Sequence, residues 1–162
     1  MACHLIDNAM PAEYCATLNA VLSGQDFEWY NQQIMVYDDV ETELPFFAHC
    51  AYIDHTPRSR HFELFRPLVE RLDTKALLRI RINNFPRWSE IVEHGWHVDY
   101  PDSDHKTAIY YVNDNNGSTL VEDQEPIQSV ANRLLLIDGG MKHSSTSHTD
   151  TNHRYTVVVN YL

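Results

Sequence analysis

Apolar positions in the first third of the chain repeat at helical spacing and then at strand spacing. Between Ala12 and Leu22 they recur every three or four residues, which predicts an amphipathic helix that Gly24 closes. Two β-rich runs, 27–30 and 34–37, predict a pair of strands or one long strand with an interruption. The acidic segment 38–43 that follows predicts a solvated loop.

The middle of the chain carries the clearest periodic patterns. The apolar run 45–53 is a strand or a buried helix, and 58–72 is an amphipathic helix that Pro67 either kinks or starts. Segment 77–84 alternates strictly, as a strand does. Its apolar face carries Leu78, Ile80 and Ile82. Its polar face carries Arg79, Arg81 and Asn83.

The second half of the chain is almost entirely short strands. Strands are predicted at 107–112, 118–121, 127–130, 133–137 and 155–161. The sequence Asn-Asp-Asn-Asn-Gly at 113–117 predicts a hairpin between the first two. The pattern indicates a mainly β protein with N-terminal helices, an antiparallel jelly roll backed by those helices. The 162 residues form one predicted domain, with helical and strand support at about 1–76 and the catalytic core at about 77–162.

Composition narrows the classes of partner. The net charge of −11 disfavours nucleic acid and anionic membrane surfaces as partners. The three cysteines, Cys3, Cys15 and Cys50, are too scattered for a disulfide framework or a zinc pair, and we interpret them as small buried side chains. Neither a signal peptide nor a membrane-spanning run is present in the sequence, so we expect a soluble cytoplasmic protein.

Candidate chemistry centres on His97 and Asp99, whose i, i+2 spacing places both side chains on one face of a strand. About one His-x-Asp is expected by chance in a chain with so many histidines, and a second one, His148 to Asp150, lies in what reads as a solvated loop. The first is followed by strand-like runs and by His143, which opens a strand after a Gly-Gly turn. Two imidazoles and one carboxylate make the facial triad of non-haem Fe(II) oxygenases.

Arg154 adds an anion-binding group to this set. It lies 11 residues after His143 at the head of the last predicted strand, where its guanidinium can hold a carboxylate through two parallel hydrogen bonds. Thr156, Val158 and Asn160 share its face of that strand.

In these motifs the chain resembles the Fe(II)/2-oxoglutarate-dependent dioxygenases, within them the prolyl-4-hydroxylase-like branch, and especially its short single-domain members from phages and bacteria. The resemblance covers about 78–162. Its carriers are His97-Val98-Asp99 with Pro101, Ile109-Tyr110-Tyr111-Val112-Asn113, segment 132–138, Lys142-His143 and Arg154-Tyr155-Thr156. It implies a double-stranded β-helix (a cupin-like jelly roll) with His97, Asp99 and His143 as the metal ligands and catalytic residues.

The resemblance also implies a co-substrate site. Arg154 would bind the distal carboxylate of 2-oxoglutarate. Thr156 matches a hydroxyl residue that often follows the family arginine, although an ordinary strand threonine is an equal interpretation. Tyr111 matches a tyrosine that hydrogen-bonds 2-oxoglutarate, and a core aromatic is the equal alternative.

The implied reaction couples decarboxylation of 2-oxoglutarate, to succinate and CO2, with hydroxylation of a C–H bond, using Fe(II), dioxygen and optionally ascorbate. Peptidyl proline is the leading candidate among peptide and small-molecule prime substrates. Four side chains upstream of the metal strand either line an entrance for an acidic or peptide substrate or, as we favour, form a solvated face. They are Arg79, Arg81, Arg87 and Trp88.

Two other classes of function remain open. A zinc or nickel site could draw on His94, His97, Asp99, His143, His148 and His153. Gly95 argues against helical ligation by the first two, and the sequence has neither a His-Glu-x-x-His motif nor a nucleophile elbow. The third class is a binding module, either a jelly roll that keeps these residues without turnover or a metal-free interaction domain.

Overall fold

The computed structural model describes residues 3–32, 35–37, 40–42, 44–101 and 103–162. Within these residues the chain forms thirteen strands and two helices. In order they are β1 (Cys3–Ile6), α1 (Ala12–Leu22), β2 (Tyr30–Gln32), β3 (Met35–Tyr37), β4 (Val40–Thr42), β5 (Phe46–Ile53), β6 (Thr56–Pro57), α2 (Phe62–Arg71), β7 (Leu77–Pro86), β8 (Lys106–Tyr111), β9 (Ser118–Val121), β10 (Ile127–Gln128), β11 (Arg133–Asp138), β12 (His143–Ser145) and β13 (His153–Tyr161).

Two antiparallel sheets form the body of the protein. The larger has the strand order β1-β11-β8-β13-β7-β5-β2, with β6 added beside β5, and the smaller has the order β10-β9-β12. Strands β3 and β4 pair only with each other among the described residues. The predicted mainly β architecture with helices towards the N-terminus is confirmed. Strands β1, β2 and β5, from the first 76 residues, belong to the same large sheet as the later strands.

Both helices pack on the outer face of the large sheet. Buried Leu18 and Leu22 of α1 and Phe65 and Leu68 of α2 belong to one apolar cluster with the outward-facing residues of the sheet. Helix α1 spans the predicted residues. Helix α2 carries Pro67 in its interior, so the alternative in which Pro67 starts this helix was wrong. Among the described residues, no helix is long and apolar enough to cross a bilayer.

The central strands are buried on both faces. In β8, Ala108 and Tyr110 contact the helix-side cluster, while Ile109 and Tyr111 contact a second cluster with Val121 of the small sheet. A strand between a helical layer and a second sheet must bury both faces, which explains its nearly continuous apolar sequence.

The predicted hairpin at 113–117 was wrong. Strand β8 pairs with β11 and β13, whereas β9 pairs with β10 and β12, so this turn carries the chain from one sheet to the other. Its polar residues fix the crossover: Asn115 Oδ1 accepts from the Gly117 N–H at 3.0 Å, and Asp114 accepts from the Ala131 N–H at 2.7 Å. Turn chemistry is local, and both edges of β8 are already occupied by other strands.

Smaller differences concern residues 27–53. Phe27 is buried in the core and only Tyr30 of the first predicted run is in a strand. Of the second run, Ile34 lies outside the described residues and the rest forms β3. The acidic loop prediction was wrong for 40–42, which forms β4, while 38, 39 and 43 lie outside the described residues. The run 45–53 contains the strand β5 rather than a helix.

The cysteines are all free thiols, and only Cys15 is fully buried. The other two, Cys3 and Cys50, are partly buried. The interpretation of the cysteines as buried side chains is therefore confirmed for Cys15 and wrong for Cys3 and Cys50.

The buried side chain of Asn132 connects the N-terminal segment to the large sheet. Its Oδ1 accepts from the Met10 N–H and from the Tyr110 hydroxyl, each at 2.9 Å, and its Nδ2 donates to the Met10 carbonyl at 2.7 Å. The backbone is left-handed there, with φ of 62°. We therefore expect Asn132→Ala to lower the free energy of unfolding by about 3 kcal/mol, because three buried polar groups lose partners and a Cβ residue occupies a left-handed position.

Urea unfolding measures this change. Asp123→Ala is the matched control, because Asp123 is exposed and has a similar φ of 60°. It should cost about 1 kcal/mol or less, which is the backbone contribution alone. Equal losses in the two variants would contradict the role assigned to the Asn132 side chain.

Candidate metal and co-substrate site

His97 and His143 are joined by their backbones. Each donates its N–H to the carbonyl of the other at 2.9 Å, which makes an isolated antiparallel bridge. The predicted strand at 97–99 is reduced to this bridge, since the flanking residues are in no named strand. His143 opens β12, as its position after the Gly-Gly turn suggests. The bridge brings the two imidazole centroids to 4.5 Å.

The third candidate ligand, Asp99, faces the same space. One potential ligand atom from each of the three residues lies within 4.8 Å of the other two. Asp99 Oδ1 is 3.8 Å from His97 Nε2, and Asp99 Oδ2 is 3.9 Å from His143 Nε2. The Nδ1 atoms of the two rings lie 3.3 and 3.2 Å from the carbonyls of Gly95 and Met141. We assign the Nδ1–H tautomer to both rings, which turns the Nε2 lone pairs towards Asp99.

Electrostatics keeps two of these groups in the form that binds a cation. Burial, followed by the neighbouring His143, lowers the pKa of His97 to about 4, so this imidazole is neutral at neutral pH. Burial alone would raise the pKa of Asp99, but the Arg79 charge and other neighbours outweigh it and hold the pKa at about 2. Neutral imidazole with an ionised carboxylate is a donor set that suits Fe(II).

The candidate ligands open into a cavity of about 80 Å³ between the two sheets. Arg79 and Arg81 of β7 line this cavity, so the solvated face that we favoured for them was wrong. Arg87 and Trp88, beyond the end of β7, are exposed and do not line it. Alternation along a strand identifies two faces, but it does not distinguish a cavity from bulk solvent.

Arg154 is almost completely buried in the same cavity, with 1% of its surface exposed. Its Nε donates to Ser129 Oγ at 2.7 Å, Nη1 to the Thr146 carbonyl at 3.2 Å and Nη2 to Thr119 Oγ1 at 3.4 Å. Its guanidinium carbon lies 5.4 Å from the centre of the Phe85 ring. These partners are neutral, and no carboxylate among the described residues forms an ion pair with it. Burial lowers the pKa of Arg154 to about 10, so the group remains a cation at neutral pH.

Thr156 and Tyr111 lie beside Arg154 on the inner face of the large sheet. Thr156 lines the cavity and is directly opposite Tyr111 in the pairing of β13 with β8. The Tyr111 ring packs in the apolar cluster between the sheets, yet its buried hydroxyl has no well-aligned hydrogen-bond partner among the described residues. Burial raises the pKa of Tyr111 to about 12, so the hydroxyl is protonated and can donate.

The other histidines of the zinc alternative are outside this centre. His94 Nδ1 lies 2.8 Å from Ser145 Oγ, and burial lowers the pKa of His94 to about 4. His148 is fully buried, so its assignment to a solvated loop was wrong, and its Nε2 lies 3.1 Å from the Thr151 carbonyl. His153 is on the exposed end of β13. In the part of the chain that the structure describes, only the triad above gathers three such ligand atoms.

Sequence reasoning missed the residues that hold Asp99. Arg79, Asn160 and Thr107 all donate hydrogen bonds to its carboxylate. Asn160 was placed on the face of Arg154, but nothing in the one-dimensional pattern indicated that it meets residues from two other strands.

Comparison with known proteins gives matches in structure alone. No protein-family model and no curated protein sequence matches the chain. A Pseudomonas putida prolyl-4-hydroxylase superposes with a TM-score of 0.70 and 13% identity, over 98% of this chain and 91% of that one. A Trichoplax adhaerens prolyl hydroxylase was solved with a peptide fragment of the hypoxia inducible factor oxygen degradation domain. It superposes with a TM-score of 0.67 and 17% identity, over 99% of this chain and 83% of that one. HygX from Streptomyces hygroscopicus, solved with nickel and 2-oxoglutarate, superposes with a TM-score of 0.64 and 11% identity, over 98% of this chain and 82% of that one.

These matches cover nearly the whole chain, including the strands of the first 76 residues. They confirm the predicted double-stranded β-helix and, at the level of the fold, the predicted resemblance. The chain has the fold of the 2-oxoglutarate- and Fe(II)-dependent oxygenases, with prolyl-4-hydroxylase-like proteins among the structures that it matches.

Proposed function

We propose that this protein is an Fe(II)- and 2-oxoglutarate-dependent dioxygenase. The observation that carries the proposal is that three side chains able to bind a metal and a buried arginine, which has no carboxylate partner among the described residues, open into one cavity. His97, Asp99 and His143 are the proposed metal ligands and catalytic residues. Three protein ligands leave coordination positions for a co-substrate and dioxygen. Bound iron would couple decarboxylation of 2-oxoglutarate, to succinate and CO2, with oxidation of a substrate C–H bond.

The co-substrate site is built around Arg154. A buried guanidinium with only neutral partners is costly unless an anion binds it, and a carboxylate matches its planar donors. We assign the distal carboxylate of 2-oxoglutarate to Arg154, with Thr156 and the Tyr111 hydroxyl as further donors. Apolar Ile109, with Val158 opposite it, lines the cavity between this end and the metal end, where these side chains exclude water.

Hydroxylation is the reaction that we propose, and peptidyl proline is the first prime substrate to test. Two of the matched structures are prolyl hydroxylases, one of them with a peptide bound. HygX has also been solved with hygromycin B, so a small molecule is the alternative class of substrate.

The first test is turnover of 2-oxoglutarate. Protein prepared without oxygen, then given Fe(II), 2-oxoglutarate, ascorbate and air, should form succinate in an iron-dependent manner. His97→Ala should lower succinate to the level without iron, because only two of the three ligands remain. His153→Ala, a histidine outside the cavity, should retain the activity.

Two results would contradict the proposal. Tightly bound zinc in the purified protein together with no succinate would favour the zinc alternative. Failure to bind 2-oxoglutarate and to give an Fe(II) charge-transfer band would leave a binding module without turnover.

A second test separates the co-substrate site from the metal site. Arg154→Met should raise the KM for 2-oxoglutarate by about 100-fold, because the charge-assisted bonds to its carboxylate are lost. Arg154→Lys should give a smaller increase, since it keeps the charge but loses the two-point geometry. Metal affinity should stay near that of the wild type in both variants. An unchanged KM in Arg154→Met would remove this residue from the co-substrate site.

A further inference from the structure

Both oxygens of the Asp99 carboxylate are held by other side chains. Arg79 Nη2 donates to Oδ1 at 2.8 Å. Asn160 Nδ2 and Thr107 Oγ1 donate to Oδ2, at 2.8 and 3.2 Å. The Asp99 side chain is 8% exposed, so solvent competes little with these bonds.

The three donors stand in one row across neighbouring strands. Asn160 of β13 is paired with Arg79 of β7 on one side and with Thr107 of β8 on the other. Arg79 Nε donates to Asn160 Oδ1 at 3.0 Å, which turns the amide so that Nδ2 faces Asp99 and Thr107. Asn160 Nδ2 also donates to Thr107 Oγ1 at 2.9 Å, and this leaves the hydroxyl hydrogen of Thr107 for Asp99. Every donor and acceptor in the row therefore has a consistent role.

This arrangement leaves the two carboxylate oxygens unequal. Each oxygen has two lone-pair directions. Oδ2 already accepts two hydrogen bonds, whereas Oδ1 accepts one in the row. The distances to the imidazoles do not distinguish them, since Oδ1 lies 3.8 Å from His97 Nε2 and Oδ2 lies 3.9 Å from His143 Nε2. The hydrogen bonds do: the row occupies both lone-pair directions of Oδ2 and leaves one on Oδ1 for a metal ion.

The backbone around Asp99 gives little support of its own. Residues 98–100 lie outside the named strands, and the bridge to β12 ends at His97. The row on β7, β13 and β8 belongs instead to the central part of the large sheet. An outer row of hydrogen bonds commonly orients metal ligands in proteins.

We propose that Arg79 is a positioning residue of the metal centre, which acts with Asn160 and Thr107 to hold Asp99 so that the free lone pair of Oδ1 is available to the metal. This inference rests on the proposed metal site. Electrostatics alone gives the opposite expectation: a cation beside the site repels a divalent metal ion, so removal of the Arg79 charge would strengthen metal binding. The two effects have opposite signs: loss of positioning weakens metal binding, and loss of repulsion strengthens it.

Titration of the metal-free protein with Co(II), followed by the cobalt absorption bands, measures whether replacing Arg79 weakens or strengthens metal binding. We expect Arg79→Gln to bind Co(II) about 10- to 100-fold more weakly than the wild type, the usual effect of losing such an outer hydrogen bond. Arg79→Lys should also bind more weakly, because one ammonium group cannot replace the bonds to both Asp99 and Asn160. The cobalt spectrum should change in both variants as Oδ2 becomes a competing ligand.

Arg81→Gln is the matched control. Arg81 is the next inward-facing residue of β7 and carries the same charge, but its cross-strand neighbours are Val158 and Cys50 rather than the Asp99 row. Its removal takes a positive charge from the cavity wall without touching the row, so it should not weaken Co(II) binding and should leave the cobalt spectrum unchanged. With metal at saturation, Arg79→Gln should keep the wild-type affinity for 2-oxoglutarate, a separation that general loss of structure would not produce.

Asn160→Ala tests the row by a second route. Combined with Arg79→Gln, its effect on Co(II) affinity should be less than additive, because both residues act on one carboxylate. Circular dichroism and the Tm of each metal-free variant establish that it is folded, and Arg79→Lys and Asn160→Ala carry the test if Arg79→Gln does not fold.

The outcomes separate this inference from the proposed function. If the wild type binds Co(II) and Arg79→Gln binds it as tightly or more tightly, the positioning role is wrong and the metal site stands. If the wild type does not bind Co(II), the proposed metal site itself fails.

Discussion

The pairing of an irregular segment with β12 is the constraint on which the candidate metal centre depends. Residues 92–97 follow β12 without forming a regular strand, held by the bridges of Glu93 with Thr146 and of His97 with His143. Side chains complete the attachment, since the Ser144 hydroxyl donates to the His94 carbonyl at 2.7 Å. This pairing joins two histidines that are 46 positions apart in the sequence. The segment can bend after His97, which frees Asp99 to turn towards the large sheet.

The two sheets differ in what they give the site. The large sheet supplies Arg154, Thr156 and the row that holds Asp99, all from strands whose opposite faces pack against the helices. The small sheet and its connections supply His143 and the neutral partners of Arg154. Burying an arginine without a counter-ion costs several kcal/mol. The doubly buried central strands offset this cost, which is a common exchange of stability for function.

Periodicity predicted the elements whose environment differs sharply between two faces. Helix α1 and the alternating strand β7 were read correctly because burial on one side imposes a period. The turn at 113–117 was read incorrectly, because turn residues indicate that the chain reverses but do not indicate which strand the next strand pairs with. Which strands pair is decided by the jelly-roll topology, and no local signal carries that information.

The candidate site was predictable only where residue order carries chemistry. His97, Asp99, His143 and Arg154 were identified by type and order, and the structure brings them together around one cavity. The buried position of His148 and the inward position of Arg79 were misread, because Ser-rich loops and charged strand faces are usually solvated. Both errors have the same origin, because polar side chains can also be buried: Arg79 lies in the wall of the cavity, and His148 lies against the Thr151 carbonyl outside it.

The charges that line this cavity explain why the proposed metal and co-substrate belong together. Among the residues that the structure describes, three arginines, Arg79, Arg81 and Arg154, face it together with one carboxylate, that of Asp99. A divalent cation alone would add to this excess of positive charge, and part of its attraction to Asp99 would be lost to Arg79. A dianion such as 2-oxoglutarate compensates the buried charge of Arg154 and also offsets the charge of the cation. Under the proposed function each of the two ligands therefore lowers the electrostatic cost of binding the other, and the empty cavity is the least favourable state for Arg154.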